Sequence, residues 1–319
     1  TWNQVHIVHC NDPEHKYGTV GQFIYDFNCI WDTRKKNYDL ILQLGYTSSS
    51  VWGRLLPRKK SIVTTNMDGL EWKRTKFSKP VQRFLKYAEK LAIYNSDYLI
   101  ADSIGIQQHI KTRYHKESIY IPYGAHLFTT PDPKCLDDYK LQQYQYNMLV
   151  ARLEPENSIE TILDGVVQAK TKLPFLVIGN HQTAFGEFLK NKFKEHQNIL
   201  FLGGIYDINV LNNLRYFSNI YFHGHTVGGT NPSLLEAMAS NALICANDNI
   251  FNKSILGADA FYFNTPEDVT NCINTLNKNE YVTILGSNSK KIEETYSWEV
   301  IVNSYLNHFI EIDTKRNLN

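Results

Sequence analysis

No apolar run in this sequence approaches the ~18 residues that a membrane-spanning helix requires, and no basic-then-apolar leader opens it at Thr1. Cysteine is sparse. Cys10, Cys29, Cys135, Cys245 and Cys272 lie scattered, with no C-x-x-C pair and no zinc-like spacing, so neither a disulfide scaffold nor a cysteine-held zinc is expected. A reducing compartment follows, and the chain is expected to be cytoplasmic, at most peripheral at the inner face of the membrane. Internal repeats and low-complexity tracts are missing as well. So is a G-x-G-x-x-G near the start, where Tyr17-Gly18-Thr19-Val20-Gly21 is a weak substitute.

What is present is ordinary globular sequence, 43% hydrophobic and 20% charged over 319 residues, a length that favours two domains. Short apolar runs bounded by turn residues alternate with helical stretches, the pattern of parallel sheets with crossover helices. A first series of strands is expected at 5–10, 39–44, 61–66, 98–101 and 118–121. A second is expected at 148–151, 175–179, 199–202, 220–223 and 242–246. The fold class is therefore α/β with two Rossmann-like, doubly wound domains. The polar, tyrosine-rich stretch before Tyr146 sets their limits at 1–145 and 146–319. The longest helix of the first domain should cover 79–95, burying Phe84, Leu85, Ala88, Leu91 and Ala92. A terminal helix should carry Val300, Ile301, Tyr305 and Phe309 on one face.

The formal charge of +1 conceals an asymmetry. From Arg54 to Lys90, eleven Lys or Arg stand against Asp68, Glu71 and Glu89, a local balance of +8. Such a segment suits a phosphate-rich partner or an anionic membrane surface, and equally a solvated helix face. Lys79, Arg83, Lys86 and Lys90 would share one exposed side of the long helix.

Three stretches carry the chemistry. In His223-Gly224-His225-Thr226-Val227-Gly228-Gly229-Thr230-Asn231-Pro232-Ser233-Leu234-Leu235-Glu236, a strand ends, a glycine turn follows and a helix starts, with Asn231 as cap and Pro232 at its first position. That arrangement aims free backbone N–H groups and the positive end of a helix at an anion. It also describes a well-capped core helix whose Glu236 satisfies the dipole. In the second stretch, 151–157, Arg152 stands at the carboxyl edge of a parallel sheet, where it could neutralise a diphosphate or pair with Glu154 or Glu156 on the surface. The third, Asn66-Met67-Asp68-Gly69-Leu70-Glu71-Trp72-Lys73-Arg74, packs carboxylates, cations and an indole into one loop after a strand, suiting sugar recognition. Asp102-Ser103 and Tyr123-Gly124-Ala125-His126 end neighbouring strands on the same edge. His223 and His225 would point the same way, yet no third ligand is apparent and no metal is expected.

Together with an A-D-S-x-G-I segment at 101–106 and an I-P-Y-G-A segment at 121–125, these stretches resemble the retaining glycosyltransferase family 4, more narrowly its rhamnosyltransferase-like subgroup of polysaccharide assembly. The resemblance implies a GT-B architecture, with a nucleotide-diphosphate sugar on the second domain and a saccharide or lipid-diphosphate-linked acceptor on the first. No cofactor, metal or nucleic-acid partner is implied. Catalytic candidates are Asp68, Glu71 and Arg152. The implied donor set is Arg152, Asn157, Gly229, Thr230, Asn231, Ser233, Leu234 and Glu236. The implied acceptor side is Asp68, Gly69, Trp72, Lys73, Arg74 and Ser103.

The sequence departs from the broad family in three ways. The first of its two glutamates, which seven residues separate, is Gly228 here, and its phosphate-binding lysine is Asn157. Its opening strand and Gly-rich loop are expected to precede Thr1, so that this chain alone would lack full activity. A nucleotide-sugar 2-epimerase, or a non-catalytic donor-binding subunit, would use the same donor residues.

Overall fold

The computed structural model describes residues 3–317. Four parallel strands, β1 (Leu40–Leu44), β2 (Ile62–Met67), β3 (Tyr98–Ala101) and β4 (Ile119–Tyr120), form a first sheet in sequential order. Six more form a second parallel sheet: β5 (Asn147–Val150), β6 (Phe175–Ile178), β7 (Ile199–Gly203), β8 (Ile220–His223), β9 (Ile244–Asn247) and β10 (Phe261–Phe263). Their order is β10-β9-β8-β5-β6-β7. The chain winds outward from β5 through β6 to β7, then returns to the other side of β5 as β8. The order thus reverses between β5 and β8, and in open α/β sheets the crevice beyond the strand ends at such a point is where ligands bind.

The second sheet is apolar on both faces because helices cover both. Met148, Leu176, Ile178, Tyr221 and Ile244 enter one core, while Leu149, Phe175, Val177, Ile220 and Phe222 enter the other. This period of two is what a strand's alternating side chains dictate. In the first sheet, β2 is buried along its whole length and β1 forms an edge whose last residue, Leu44, is 75% exposed.

The helix Lys79–Asn95 buries Leu85, Ala88, Ala92 and Ile93, with Phe84 and Leu91 half-buried. Lys79, Arg83, Lys86 and Lys90 are all exposed along it. Glu89, unexpectedly, is buried on the apolar side. It accepts hydrogen bonds from Trp72 Nε1 (2.8 Å) and Tyr114 Oη (2.6 Å) and meets His109 Nε2 at 3.0 Å. Burial alone would raise its carboxyl; these partners outweigh it and hold the group below its ordinary value.

Two sequence expectations need correction, and one strand lies where none is expected from the sequence. Residues 5–10 belong to neither sheet, and Val5, Ile7 and Val8 are exposed, since a strand-like run becomes a strand only where a neighbour takes up its backbone groups. Strand β10 is three residues long, too short for a periodic signal. The terminal helix, Trp298–Asn317, packs on the first sheet although its sequence position attaches it to the second. Ile301 joins Ile100 and Ile121 in a common core, and His308 Nε2 lies 3.0 Å from Thr64 Oγ1.

Candidate active site at the strand-order reversal

After β8, the loop 224–230 leads into the helix Pro232–Ala239. The Asn231 side chain accepts a hydrogen bond from Ser233 N (2.9 Å) and caps that helix, with Pro232 next. Its first turn therefore presents N–H groups and a partial positive charge to the crevice. Gly228, at φ 144°, occupies a conformation that side chains rarely adopt. On Gly229 a Cβ would lie 1.9 Å from Asp102 Oδ2, so only glycine lets this loop approach the first sheet.

Glu236 lies one turn inside the helix. Its Oε2 accepts a 2.6 Å charged hydrogen bond from Arg215 Nη2, and its side chain remains 35% exposed. Arg215 is wholly buried, and its guanidinium also reaches Asn212 Oδ1 (3.0 Å) and Ser233 Oγ (3.2 Å). Ser233 Oγ in turn lies 2.8 Å from Tyr221 Oη. The Leu234 side chain lies in the core instead, and that residue can offer the crevice only backbone.

On the β5 side, Arg152 is exposed at the strand's end. Buried Asn157 fixes the turn by donating its Nδ2–H to Arg152 O at 2.6 Å. His225 stacks on His223 with ring centroids 4.4 Å apart. Burial, then the charges of Arg152 and Arg74, push the His225 imidazole down to about 4, so it is neutral at physiological pH. Buried His223 is likewise held well below its usual range. Among the described residues no three His, Cys, Asp or Glu side chains gather to hold a metal.

The first sheet faces this crevice with carboxylates. Asp68 is exposed at the end of β2, its Oδ1 accepting from Gly69 N (3.0 Å), while Gly69 O accepts from Tyr46 Oη (2.9 Å). Glu71 pairs with Arg74 at 2.8 Å. The next residues staple the two sheets' loops together: Thr75 Oγ1 donates to Glu156 Oε2 (3.2 Å), and Lys76 Nζ to Glu154 Oε1 (3.0 Å). Burial would raise the Glu154 carboxyl, but Lys76, Arg152 and Arg74 keep it below its ordinary value. A third link is Thr230 Oγ1, which donates to Asp102 O.

The structure thus brings Gly69 toward Gly228, Asp102 against Gly229 and Thr230, and Arg74 and Arg152 both near His225. Trp72 and Lys73 turn toward the long helix: the indole N–H is bound by Glu89, and Lys73, Lys86 and Arg113 lie over its ring. Ser103 is buried, its hydroxyl capping the helix Ile104–Tyr114 at Ile106 N (3.2 Å). Two residues carry more than sequence reasoning assigned them. Arg215 had a signal, an arginine between Leu211, Leu214 and Phe217 on an otherwise apolar helix face. Asp102 had only its position after β3.

Two facing Rossmann-like units with the crevice between them constitute the GT-B architecture of glycosyltransferases. A family model described as a domain of unknown function (DUF1972) matches residues 54–126. No curated protein sequence matches the chain. Among solved structures, sucrose-phosphate synthase from Thermosynechococcus elongatus aligns with a TM-score of 0.76 at 15% identity, over 91% of this chain and 78% of that one. HepE from Anabaena, in complex with UDP and glucose, gives 0.75 at 15% identity over 93% and 84%. A glycosyltransferase from Rickettsia africae gives 0.70 at 15% identity over 97% and 85%. At such identities the likeness establishes the fold.

Proposed function

We propose that this chain is a retaining, metal-independent glycosyltransferase. It moves a hexose or deoxyhexose, rhamnose by preference, from a nucleotide-diphosphate sugar to a saccharide or lipid-diphosphate-linked acceptor in cell-surface polysaccharide assembly. One feature carries the reading: Arg152 follows β5, and the capped helix start at Asn231, with Glu236 on its buried Arg215, follows β8, so all three flank the strand-order reversal. An arginine and a helix N-terminus suit a diphosphate, and a half-exposed carboxylate one turn further suits the two hydroxyls of a ribose. In the reaction, the bond from sugar C1 to the diphosphate oxygen breaks and a bond from C1 to the acceptor oxygen forms on the same face. The acceptor proton passes to the departing phosphate. Arg152 and the helix start supply the positive field that the leaving group needs, in place of a metal. HepE, whose structure holds UDP and glucose, supports the donor class.

Calorimetric titration with UDP, dTDP, UDP-glucose and dTDP-rhamnose tests this reading; absence of binding by all four rejects it. Activity abolished by chelator and restored by magnesium would reject metal independence. Turnover of a nucleotide-sugar without any acceptor would favour an epimerase.

A peripheral association belongs to the same proposal. Lys79, Arg83, Lys86 and Lys90 are exposed along one helix, and no described helix is long and apolar enough to cross a membrane. Each cation near an anionic leaflet is worth about 1 kcal/mol, screened over a Debye length of about 8 Å. Sedimentation with anionic vesicles at low salt should therefore disappear at high salt, and in the variant with all four changed to Glu. Equal retention by neutral vesicles would reject it.

A further inference from the structure

The A-D-S-x-G-I segment at 101–106 opens the helix Ile104–Tyr114, and the proposed reaction leaves its glycine, Gly105, without a task. The segment nevertheless meets the loop 224–230 of the other domain at both ends. At the far end of that loop, Gly229 abuts Asp102, and Thr230 Oγ1 donates to Asp102 O. At the near end the contact is indirect and runs through a second-domain helix, Ile250–Leu256. Phe251 on this helix leaves its own domain and packs against the first-domain core that holds Leu70, Ile106 and Ile110. A Cβ on Gly105 would lie 2.6 Å from Phe251 Cε1, so a glycine there leaves room for the ring.

The turn that carries Phe251 is bound to His225. Asn249 caps the helix, its Oδ1 accepting from Phe251 N (3.0 Å) and Asn252 N (3.1 Å), and its Nδ2 donating to His225 O (2.9 Å). Asn252, 3% exposed, donates through Nδ2 to the same carbonyl at 3.1 Å. A ring seated on Gly105 therefore fixes the turn, and the turn fixes His225. The loop is held to residues 102–105 directly at Thr230 and through Phe251 at His225. Between these anchors Thr226 N donates to Glu156 O at 3.1 Å, while Gly228 and Gly229 have no side chain to hold them. Such a loop loses local order when an anchor is removed, without loss of the global fold.

We propose that Phe251 is a positioning residue of the donor site: seated on Gly105, it holds the loop 224–230, through Asn249 and Asn252, in the conformation that receives the donor's diphosphate. The proposal rests on the donor reading of that loop and deepens it, giving a contact between the domains a part in the site. Phe251 itself touches no ligand.

Amide hydrogen exchange is the test, with the hydrogen-bonded N–H of Thr226 as reporter. Phe251→Ala should speed exchange across 224–230 tenfold or more and leave peptides of β5 and β6 unchanged. Phe251→Leu, which refills the seat, should stay within threefold of wild type. Gly105→Leu reaches the contact from the first domain. Leucine favours a helix more than glycine does, so a matching acceleration of the loop reports the displaced ring, and it does so even where Phe251→Ala fails to fold. Two changes that break one contact are not additive, so Phe251→Ala combined with Gly105→Leu should exchange no faster than the faster single variant. Unchanged exchange at 224–230 in either single variant, additive acceleration, or acceleration spread equally over β5 and β6 overturns the proposal. UDP and UDP-glucose are titrated in parallel, and Phe251→Ala and Gly105→Leu should each bind tenfold or more weakly than wild type. Wild-type affinity in both overturns the positioning role. If wild type binds neither compound while Phe251→Ala still loosens the loop, the donor reading fails and the anchoring of the loop by Phe251 stands.

Discussion

Two carboxylates beside the crevice, Glu236 on the second sheet and Asp102 on the first, differ in how completely they are paired before any ligand arrives. On the second sheet, Glu236 already rests on Arg215, Asn231 caps its helix, and Asn157 pins the Arg152 turn. On the first, Asp102 and Asn66 keep buried oxygens without partners. A paired site is rigid and recognises by charge and shape already in place. An unpaired one holds a standing cost. The contrast teaches that two carboxylates beside one crevice can answer to different energetic logic, one as half of a charged pair and the other as a buried group without a partner.

Breaking the paired side should produce the largest effect. Glu236→Ala leaves the fully buried Arg215 without its carboxylate, and unfolding by urea should show a loss of roughly 3 kcal/mol, the low end for a broken buried pair because Glu236 is partly exposed. Glu236→Gln, which still accepts from Arg215, should recover most of it. An Ala variant as stable as wild type would mean that Asn212 and Ser233 suffice for Arg215.

Next in size, Arg152→Ala should weaken UDP-sugar binding by roughly 1.5–3 kcal/mol, the worth of a charged hydrogen bond, with an unchanged melting temperature because Arg152 is exposed. Calorimetry beside a melting curve separates these outcomes, and unaltered affinity removes Arg152 from the donor site.

The unpaired side can be sharpened by pH. Asp102 has a folded value near 8 against an ordinary 3.8, so between these limits the folded chain binds more protons than the unfolded one. Stability from this group is therefore full below pH 3.8 and is lost as pH rises toward 8. Asp102→Asn abolishes that loss, and should exceed wild type by about 1–3 kcal/mol at pH 8.5, the gap closing toward pH 4. Parallel stability curves for the two proteins would show that Asp102 is solvated.

The smallest effect concerns the staple between the sides. Lys76→Ala removes the 3.0 Å bond to a partly exposed Glu154, and about 0.2–1 kcal/mol of stability should go with it, less in 1 M salt. A larger, salt-independent loss would mean that the loop 71–76 unfolds when released.

Much of this arrangement was legible locally. The helix Lys79–Asn95 has the limits its apolar spacing predicts, and strands Tyr98–Ala101 and Ile220–His223 coincide with their apolar runs, because periodicity and turn residues act within a few positions. The cap at Asn231 followed by Pro232 is likewise a local device. The role of Trp72 was less legible: an indole in a charged loop reads as a stacking platform, but Glu89, buried on a helix seventeen residues on, binds its N–H and turns it toward that helix.

Sequence by itself determined two series of parallel strands with crossover helices, the capped helix start at Asn231 and the cation at Arg152, since each depends on propensities and spacings of neighbouring residues. Only the tertiary structure decided that Asp102 meets Gly229 and Thr230 across 128 residues of chain, that Arg215 lies beneath Glu236, and that the terminal helix returns to close a cavity over the first sheet. Those contacts depend on which faces the chain must bury against each other once both sheets exist. No local pattern encodes which distant polar groups that burial will leave without a partner.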